Sequence, residues 1–355
     1  MRSLGRWALR HLLPNRGLMD VAADLLRLGQ TGPIGAFMRS GAARRVLPAF
    51  AVRGFAMTPL LASRRERGIE RLAAELPEGA RLETTRDAWV VHPAGAARMR
   101  VGFFATCVMG VMFPRTSRNA IRLLALAGAE VVLPRAQTCC GALQAHAGLR
   151  DTSRGLAAHN VHVFGADLDT IVTHSAGCGA ALRETGHLLH DTSDAEPARA
   201  FSDRVRDVSE VLAALGLPAA PTPLHSSQDP SRPLRVAYHD PCHLAHAQRV
   251  RLEPRTLLAR LPGIDLVDLP NSDWCCGSAG VYNLAQPEMA EAQLRQKLDA
   301  VVKVAPEVVV ASNPGCLLHM QRGARERGLD VRLEHLVDVM ALAYPPRGAA
   351  PDVRD

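Results

Sequence analysis

Short, nearly continuous apolar or β-branched runs punctuate the chain at residues 98–105 (RMRVGFFA), 130–133 and 170–173, and the series returns at 235–239 (RVAYH), 265–269 and 307–311. Runs of this length, bounded by turn residues, predict buried strands. Between them lie longer segments with helical spacing, among them 118–127, stopped by Gly128, and 253–261, stopped by Pro262 and Gly263. Strands that alternate with helices imply parallel sheets, so the pattern predicts an α/β protein. A helix is expected over 197–215, and 218–233, rich in proline and serine, reads as a linker. Residues before 90 read as mostly helical, with an amphipathic stretch at 70–76. The expected organisation is a helical basic leader (1–97), a first Rossmann-like unit (98–190), a helix and linker (191–233), a second Rossmann-like unit (234–345) and a tail (346–355).

A chain of 355 residues with 47% hydrophobic content is long enough for two ordinary domains, each with its own core. The net charge of +7 is unevenly placed: residues 1–72 carry +9 and the remainder −2. Lys297 and Lys303 are the only lysines, so the arginine excess reflects composition, and no nucleic-acid partner is inferred from it. The first fifteen residues alternate Arg2, Arg6 and Arg10 with apolar positions and form no unbroken apolar run, which disfavours export. The most apolar stretch, 46–62, contains Arg53, Pro48, Gly54 and Pro59 and is a poor membrane span. The expected location is the cytoplasm, with peripheral contact on the inner face of the membrane open to the basic leader.

Eight cysteines in a reducing compartment point to metal ligation more than to disulfides. They form a repeat. Cys107, the pair Cys139 and Cys140, and Cys178 recur as Cys242, the pair Cys275 and Cys276, and Cys316, with intervals of 32 and 38 residues in the first set and 33 and 40 in the second. Every cysteine is predicted just beyond the carboxyl end of a strand, where open α/β sheets place their sites. Four thiolates from three loops suit an iron–sulfur centre or Zn²⁺, and vicinal cysteines without paired C-x-x-C knuckles favour the iron–sulfur reading over zinc, with a disulfide or thiol relay third. Gly141 and Gly277, after each pair, remove a Cβ from a crowded turn and are expected to let the backbone approach inorganic sulfide. Cys178 and Cys316 open helices, whose amides favour an anionic assembly.

Neighbouring residues are candidates for a supporting role. His319, three residues after Cys316, is read as a hydrogen-bonding or surface histidine rather than a fifth ligand; His243 and His146 are candidate partners of the sulfurs. Tyr282 is read as a buried tyrosine anchoring its loop, with a bond to a cluster sulfur as the alternative, and His174 and His239 as packing residues at strand ends. No dinucleotide fingerprint, phosphate-binding loop or nucleophile–base motif is present in the sequence, so neither flavin nor NAD is expected in this chain and no catalytic residue is assigned.

The motifs FFATC (103–107), QTCCGALQAHAG (137–148), SAGCGAALRETGHLL (175–189), YHDPCHLAHAQ (238–248), WCCGSAGVYNLAQP (274–287) and SNPGCLLHMQ (312–321) resemble those of the iron–sulfur subunit of glycolate oxidase. The resemblance spans residues 98–345 and extends more loosely into 1–97. It implies two tandem CCG (cysteine-rich) domains, shared with heterodisulfide reductase subunits and lactate-utilisation proteins. It further implies iron–sulfur clusters, expected as 4Fe-4S and one per domain, on Cys107, Cys139, Cys140 and Cys178 and on Cys242, Cys275, Cys276 and Cys316. The implied role is that of a non-catalytic electron-transfer subunit, taking electrons from a flavoprotein subunit that oxidises glycolate or another 2-hydroxy acid and passing them towards quinone. The sequence departs from that family in having no cysteine before Cys107, where the family carries a ferredoxin region; a misplaced start, a separate ferredoxin-type polypeptide as a further partner, and a shortened paralogue are the alternatives. It also has Ala181 and His319 where heterodisulfide reductase domains carry a fifth cysteine. A heterodisulfide-reductase-like, disulfide-cleaving subunit is therefore the lesser alternative, and a zinc-stabilised scaffold without redox chemistry is the other.

Overall fold

Ten strands build two sheets with one internal order. In chain order they are β1 (Arg81–Thr84), β2 (Ala88–His92), β3 (Met99–Phe103), β4 (Ala129–Pro134), β5 (Thr170–Thr173), β6 (Val205–Asp207), β7 (Leu234–Tyr238), β8 (Ile264–Val267), β9 (Val308–Val310) and β10 (Arg332–Glu334). The structure, a computed structural model, describes residues 3–346, so the expected tail lies outside the described residues except for its first position. The first sheet runs β1-β2-β4-β3-β5-β6 and the second β10-β9-β7-β8. Within β4-β3-β5-β6 and within β8-β7-β9-β10 every pairing is parallel. The four-strand order is thus the same in both halves, and the mixed α/β class with parallel sheets is as expected. β5 and β9 are buried along their whole length, as strands covered on both faces must be.

Two segments differ from expectation. The leader is helical only as far as Glu75; β1 and β2 then form an antiparallel hairpin whose second strand pairs with β4. Ala88–His92 (AWVVH) is short and β-rich, and the free edge of β4 gives it a partner. The helix expected over 197–215 is likewise split. β6 interrupts it, with Val205 and Asp207 buried and Arg206 exposed, because the outer edge of β5 is open to pairing. Asp207 then caps the helix Val208–Leu215 by accepting from the amide of Ser209 at 2.9 Å.

Each half has its own apolar cluster, around Phe104, Phe164 and Phe201 in the first and around Leu294, Val309 and Met320 in the second. The largest cluster belongs to both halves, running from Val101, Leu124 and Val131 to Val236, Leu258 and Val339. The expectation of one core per half therefore holds for one face of each sheet and fails for the other. Helix contacts across this shared core are reciprocal. Val208–Leu215, which follows β6, packs on Leu252–Ala259 of the second half; Leu336–Ala343, which follows β10, packs on Pro114–Leu126 of the first. Asp338 fastens the latter pair, accepting from Thr116 Oγ1 at 2.6 Å and from Asn119 Nδ2 at 2.8 Å, with all three side chains buried.

The leader is fixed to this body by Arg118 to Glu75 (2.8 Å) and by Gln144 Nε2 donating to the Leu9 carbonyl (2.7 Å). Its longest helix, Arg16–Thr31, is inverted in its amphipathicity. Its polar face turns inward: Asp20 and Asp24 pair with the buried Arg67 at 3.2 and 2.6 Å, and Gln30 exchanges bonds with the Pro59 carbonyl and the Leu61 amide. Its apolar stripe, Leu18, Val21, Leu25 and Leu28, faces outward and is 45–71% exposed. No helix among the described residues is long and apolar enough to cross a membrane.

Truncating Asp338 to alanine orphans two buried donors, each at a cost of about 1–3 kcal/mol. Urea denaturation of Asp338→Ala should accordingly show a loss of roughly 2–5 kcal/mol, and Asp338→Asn, which keeps one acceptor, a smaller one; an unchanged midpoint for the alanine variant would dismiss this tie between the halves.

Candidate metal centres

All eight cysteines lie past strand ends on the carboxyl edges of the two sheets. Cys107 opens the helix Cys107–Met112 after β3; Cys139 and Cys140 occupy the loop after β4; Cys178 sits in the first turn of Ala176–Arg183 after β5. Chain directions bring them together: Cys107 Sγ lies 3.8 Å from Cys139 Sγ, and Cys140 Sγ lies 3.2 Å from Cys178 Sγ. Asn160 holds the loop from behind, donating to the Cys139 carbonyl and accepting from the Thr138 amide, both at 3.0 Å. The Cys139 thiol is held well below its ordinary range by bonding with Cys107 and then Cys140, while Cys107 and Cys140 are pushed up by the same contacts and by burial. Thiols buried this close to one another cannot all ionise unaided.

The second half repeats the arrangement with Cys242 after β7, Cys275 and Cys276 after β8, and Cys316 in the first turn of Pro314–Glu326 after β9. Cys275 is lowered by its bonds with Cys242 and then Cys276, and Cys316 by Cys276; Cys242 and Cys276 are raised by Cys275. The Gly277 amide donates to Cys275 Sγ at 3.3 Å, and Asn313 Nδ2 donates to Cys316 Sγ at 3.5 Å. Both glycines of the CCG turns are left-handed, at φ +80° for Gly141 and +92° for Gly277. Their missing side chains would point at the following helix, 2.8 Å from Ser153 Oγ and 2.4 Å from the Ala290 carbonyl. They therefore relieve a crowded turn, as expected, and permit its close approach to the neighbouring helix.

The two sets face each other across the halves. His146 of the first half meets His243 of the second edge-on, with ring centroids 5.7 Å apart, and a Cβ on Gly280 would lie 3.3 Å from His146. His243 Nδ1 is 3.9 Å from Cys242 Sγ. Asn313 Oδ1 accepts from the Gly177 amide, one residue before Cys178, at 3.1 Å. His319 is buried beside Arg322 and Cys316, so it is not a surface histidine. Tyr282 is 38% exposed and is not the buried anchor expected. His174 packs as expected, stacked on Phe103.

Two residues near the second set were missed. His239, read as packing, has a ring nitrogen that lies with the sulfurs of Cys276 and Cys316 inside a 4.8 Å circle. Lys297 is buried and donates to the carbonyls of Asn271 and Ser272, with Cys276 and Cys316 opposing the effect of burial on its ammonium. Its rarity was the available signal, since a chain that uses arginine almost everywhere places one of its two lysines here. The donor chemistry fits a soft metal centre in both halves. In the first half, thiols from separate loops stand 3.2 and 3.8 Å apart, close enough for one soft centre to engage them.

A family model described as a cysteine-rich domain, CCG, matches residues 101–183 and again 236–321. The chain is 34% identical over 344 residues to a probable glycolate oxidase iron-sulfur subunit of Bacillus subtilis, covering 96% of this chain and 72% of that protein. It is 32% identical over 246 residues to one of the subunits of the fumarate reductase (CoM/CoB) of Methanothermobacter marburgensis, covering 69% of this chain and 46% of that one. Lactate utilization protein A of Oceanobacillus iheyensis is 29% identical over 244 residues, 68% of this chain and 96% of its own length. Two cysteine-rich repeats on matching parallel sheets, with identity that runs through nearly the whole chain, place this protein in the glycolate oxidase iron–sulfur subunit family.

Proposed function

We propose that each cysteine set holds one iron–sulfur centre, on Cys107, Cys139, Cys140 and Cys178 and on Cys242, Cys275, Cys276 and Cys316, and that the chain carries electrons from a flavoprotein subunit that oxidises glycolate or a related 2-hydroxy acid towards quinone. The observation that carries this reading is the pair of four-thiol pockets on equivalent sheet edges, turned towards each other at His146 and His243. A bound centre of this kind supplies a one-electron store. The chain's own residues bind and tune it: the thiolates hold the metal, the Gly277 amide and Asn313 draw charge from sulfur, and Lys297 offsets the anionic charge of the second pocket. The apolar cluster that includes Phe104, Phe164 and Cys140 keeps water from the first pocket. In this reading residues 98–190 and 234–345 are the two cluster-bearing domains, and no residue of the chain performs the oxidation of the hydroxy acid.

The inverted helix supports a peripheral position on an anionic membrane. Trp7, Ile34 and Phe37 are exposed together with the stripe of Leu18, Val21, Leu25 and Leu28. Arginines with histidine at position 11 are exposed in the same leader, and the two acids of the inverted helix, Asp20 and Asp24, are tied up by Arg67 on its opposite face. Apolar side chains with arginine and tryptophan suit a helix lying at an anionic lipid interface.

Anaerobic purification should give a brown protein, and replacing Cys139 and Cys140 with alanine should remove about half of its iron and acid-labile sulfide; full retention, or a colourless protein with stoichiometric zinc, would sink the cluster assignment. Phosphatidylglycerol vesicles should sediment the full chain where phosphatidylcholine vesicles do not, and Leu25→Glu with Leu28→Glu should weaken that binding about tenfold or more, given the apolar burial lost. A chain that stays in the supernatant, or that only an acidic ferredoxin-type protein recruits, would overturn the membrane reading.

A further inference from the structure

The second pocket has a donor that the first lacks. His239 follows β7 as Phe104 follows β3, and the equivalence is set by the backbone: the His239 amide donates to the Val310 carbonyl of β9 at 2.9 Å, and the Phe104 amide to the Val172 carbonyl of β5 at 2.8 Å. Both side chains are fully buried. Phe104 stacks on Phe164 in an apolar cluster, whereas His239 turns Nδ1 to the Ser272 carbonyl oxygen at 2.9 Å. A carbonyl oxygen only accepts, so Nδ1 carries the proton and donates. Nε2 is then the ring nitrogen left open; it makes no hydrogen bond of normal geometry among the described residues, and the Cys316 sulfur is a group it interacts with.

A buried polar atom without a partner costs about 1–3 kcal/mol. The groups nearest to satisfying Nε2 are the sulfurs of Cys276 and Cys316, gathered with the ring inside 4.8 Å. Around a tetrahedral ion with metal–nitrogen and metal–sulfur bonds of about 2.0 and 2.3 Å, nitrogen and sulfur ligands stand about 3.5 Å apart, so a modest contraction closes the set. An imidazole whose other N–H donates to a main-chain carbonyl is the arrangement that fixes a histidine for metal binding. Lys297 reinforces it by donating to the same Ser272 carbonyl at 3.2 Å, which pins the acceptor in place.

We propose that His239 Nε2 is a protein ligand of the second metal centre, which is therefore a mixed sulfur–nitrogen site, while the first centre, with Phe104 at the equivalent position, is ligated by sulfur alone. This rests on the reading that Cys242, Cys275, Cys276 and Cys316 hold a metal. It separates the two halves chemically in spite of their shared topology.

The test is X-ray absorption at the iron and zinc edges of the purified full chain, with iron, zinc and sulfide measured on the same sample. The expected spectrum contains a nitrogen scatterer at about 2.0–2.1 Å. That scatterer is lost in His239→Gln and in His239→Phe, which copies the first half, and is kept in Phe104→Leu. If iron is bound, pulsed EPR of the reduced wild type should show a strongly coupled nitrogen that disappears in the same two variants. Metal present in both halves with an all-sulfur shell, or a nitrogen signal that survives His239→Gln, overturns the proposal while leaving the metal assignment standing. A metal content that Cys275→Ala with Cys276→Ala leaves unchanged removes the metal assignment itself. An all-sulfur wild-type spectrum overturns the proposal even if a variant fails to fold, and His319→Gln, which should keep the nitrogen signal, separates His239 from the other buried imidazole near Cys316.

Discussion

Parallel strands all end on the same edge of their sheet, and the chemistry of this chain depends on that constraint. β3, β4 and β5 deliver three loops to one place, as β7, β8 and β9 do in the second half, and each loop needs only a cysteine near its start for sulfur to meet sulfur. The loops themselves contribute little length: Cys107 stands four residues beyond β3 and Cys242 four beyond β7. A site so placed inherits the rigidity of the sheets, and strand spacing brings sulfurs from separate loops to 3.2 and 3.8 Å. Buried thiols this close cannot all ionise without a cation, so a bound metal would relieve a repulsion that the fold builds in.

The two pockets differ in their surroundings. In the first, the surroundings of the sulfurs include Gln144, an apolar wall with Phe104 and, near Cys107, the Arg16 guanidinium. In the second, Lys297, His239 and Asn313 bring a positive charge and polar atoms to the same positions in the fold. Metal–sulfur centres held in such unlike surroundings would differ in reduction potential, since ligand type, burial, charge and sulfur hydrogen bonds set it. The first pocket is also tied to the leader, through the bond of Gln144 to the Leu9 carbonyl.

Much of this was readable from residue order because it is local or periodic. The cysteine repeat, the strands before each cysteine and the helix that each last cysteine opens are all set by short-range pattern. What escaped depends on distant partners. β1, β2, β6 and β10 are edge or near-edge strands of three to five residues, whose state is decided by an open neighbour rather than by their own sequence. His239 looked like a packing residue because its role is set by Ser272, thirty-three positions away, which fixes the tautomer. The periodicity of Arg16–Thr31 announced an amphipathic helix, but periodicity does not say which face turns inward. Here Arg67, with its two acidic partners, turns the polar one.

The reciprocal helix contacts give the chain an internal pseudo-symmetry. Val208–Leu215 on Leu252–Ala259 and Leu336–Ala343 on Pro114–Leu126 are the same contact made twice with the halves exchanged. An interface in which each side offers the other the same patch is what a two-fold homodimer has. Because both halves lie on one chain, their stoichiometry is fixed and the symmetry need not be exact, so one position can hold Phe104 beside the first pocket and His239 beside the second.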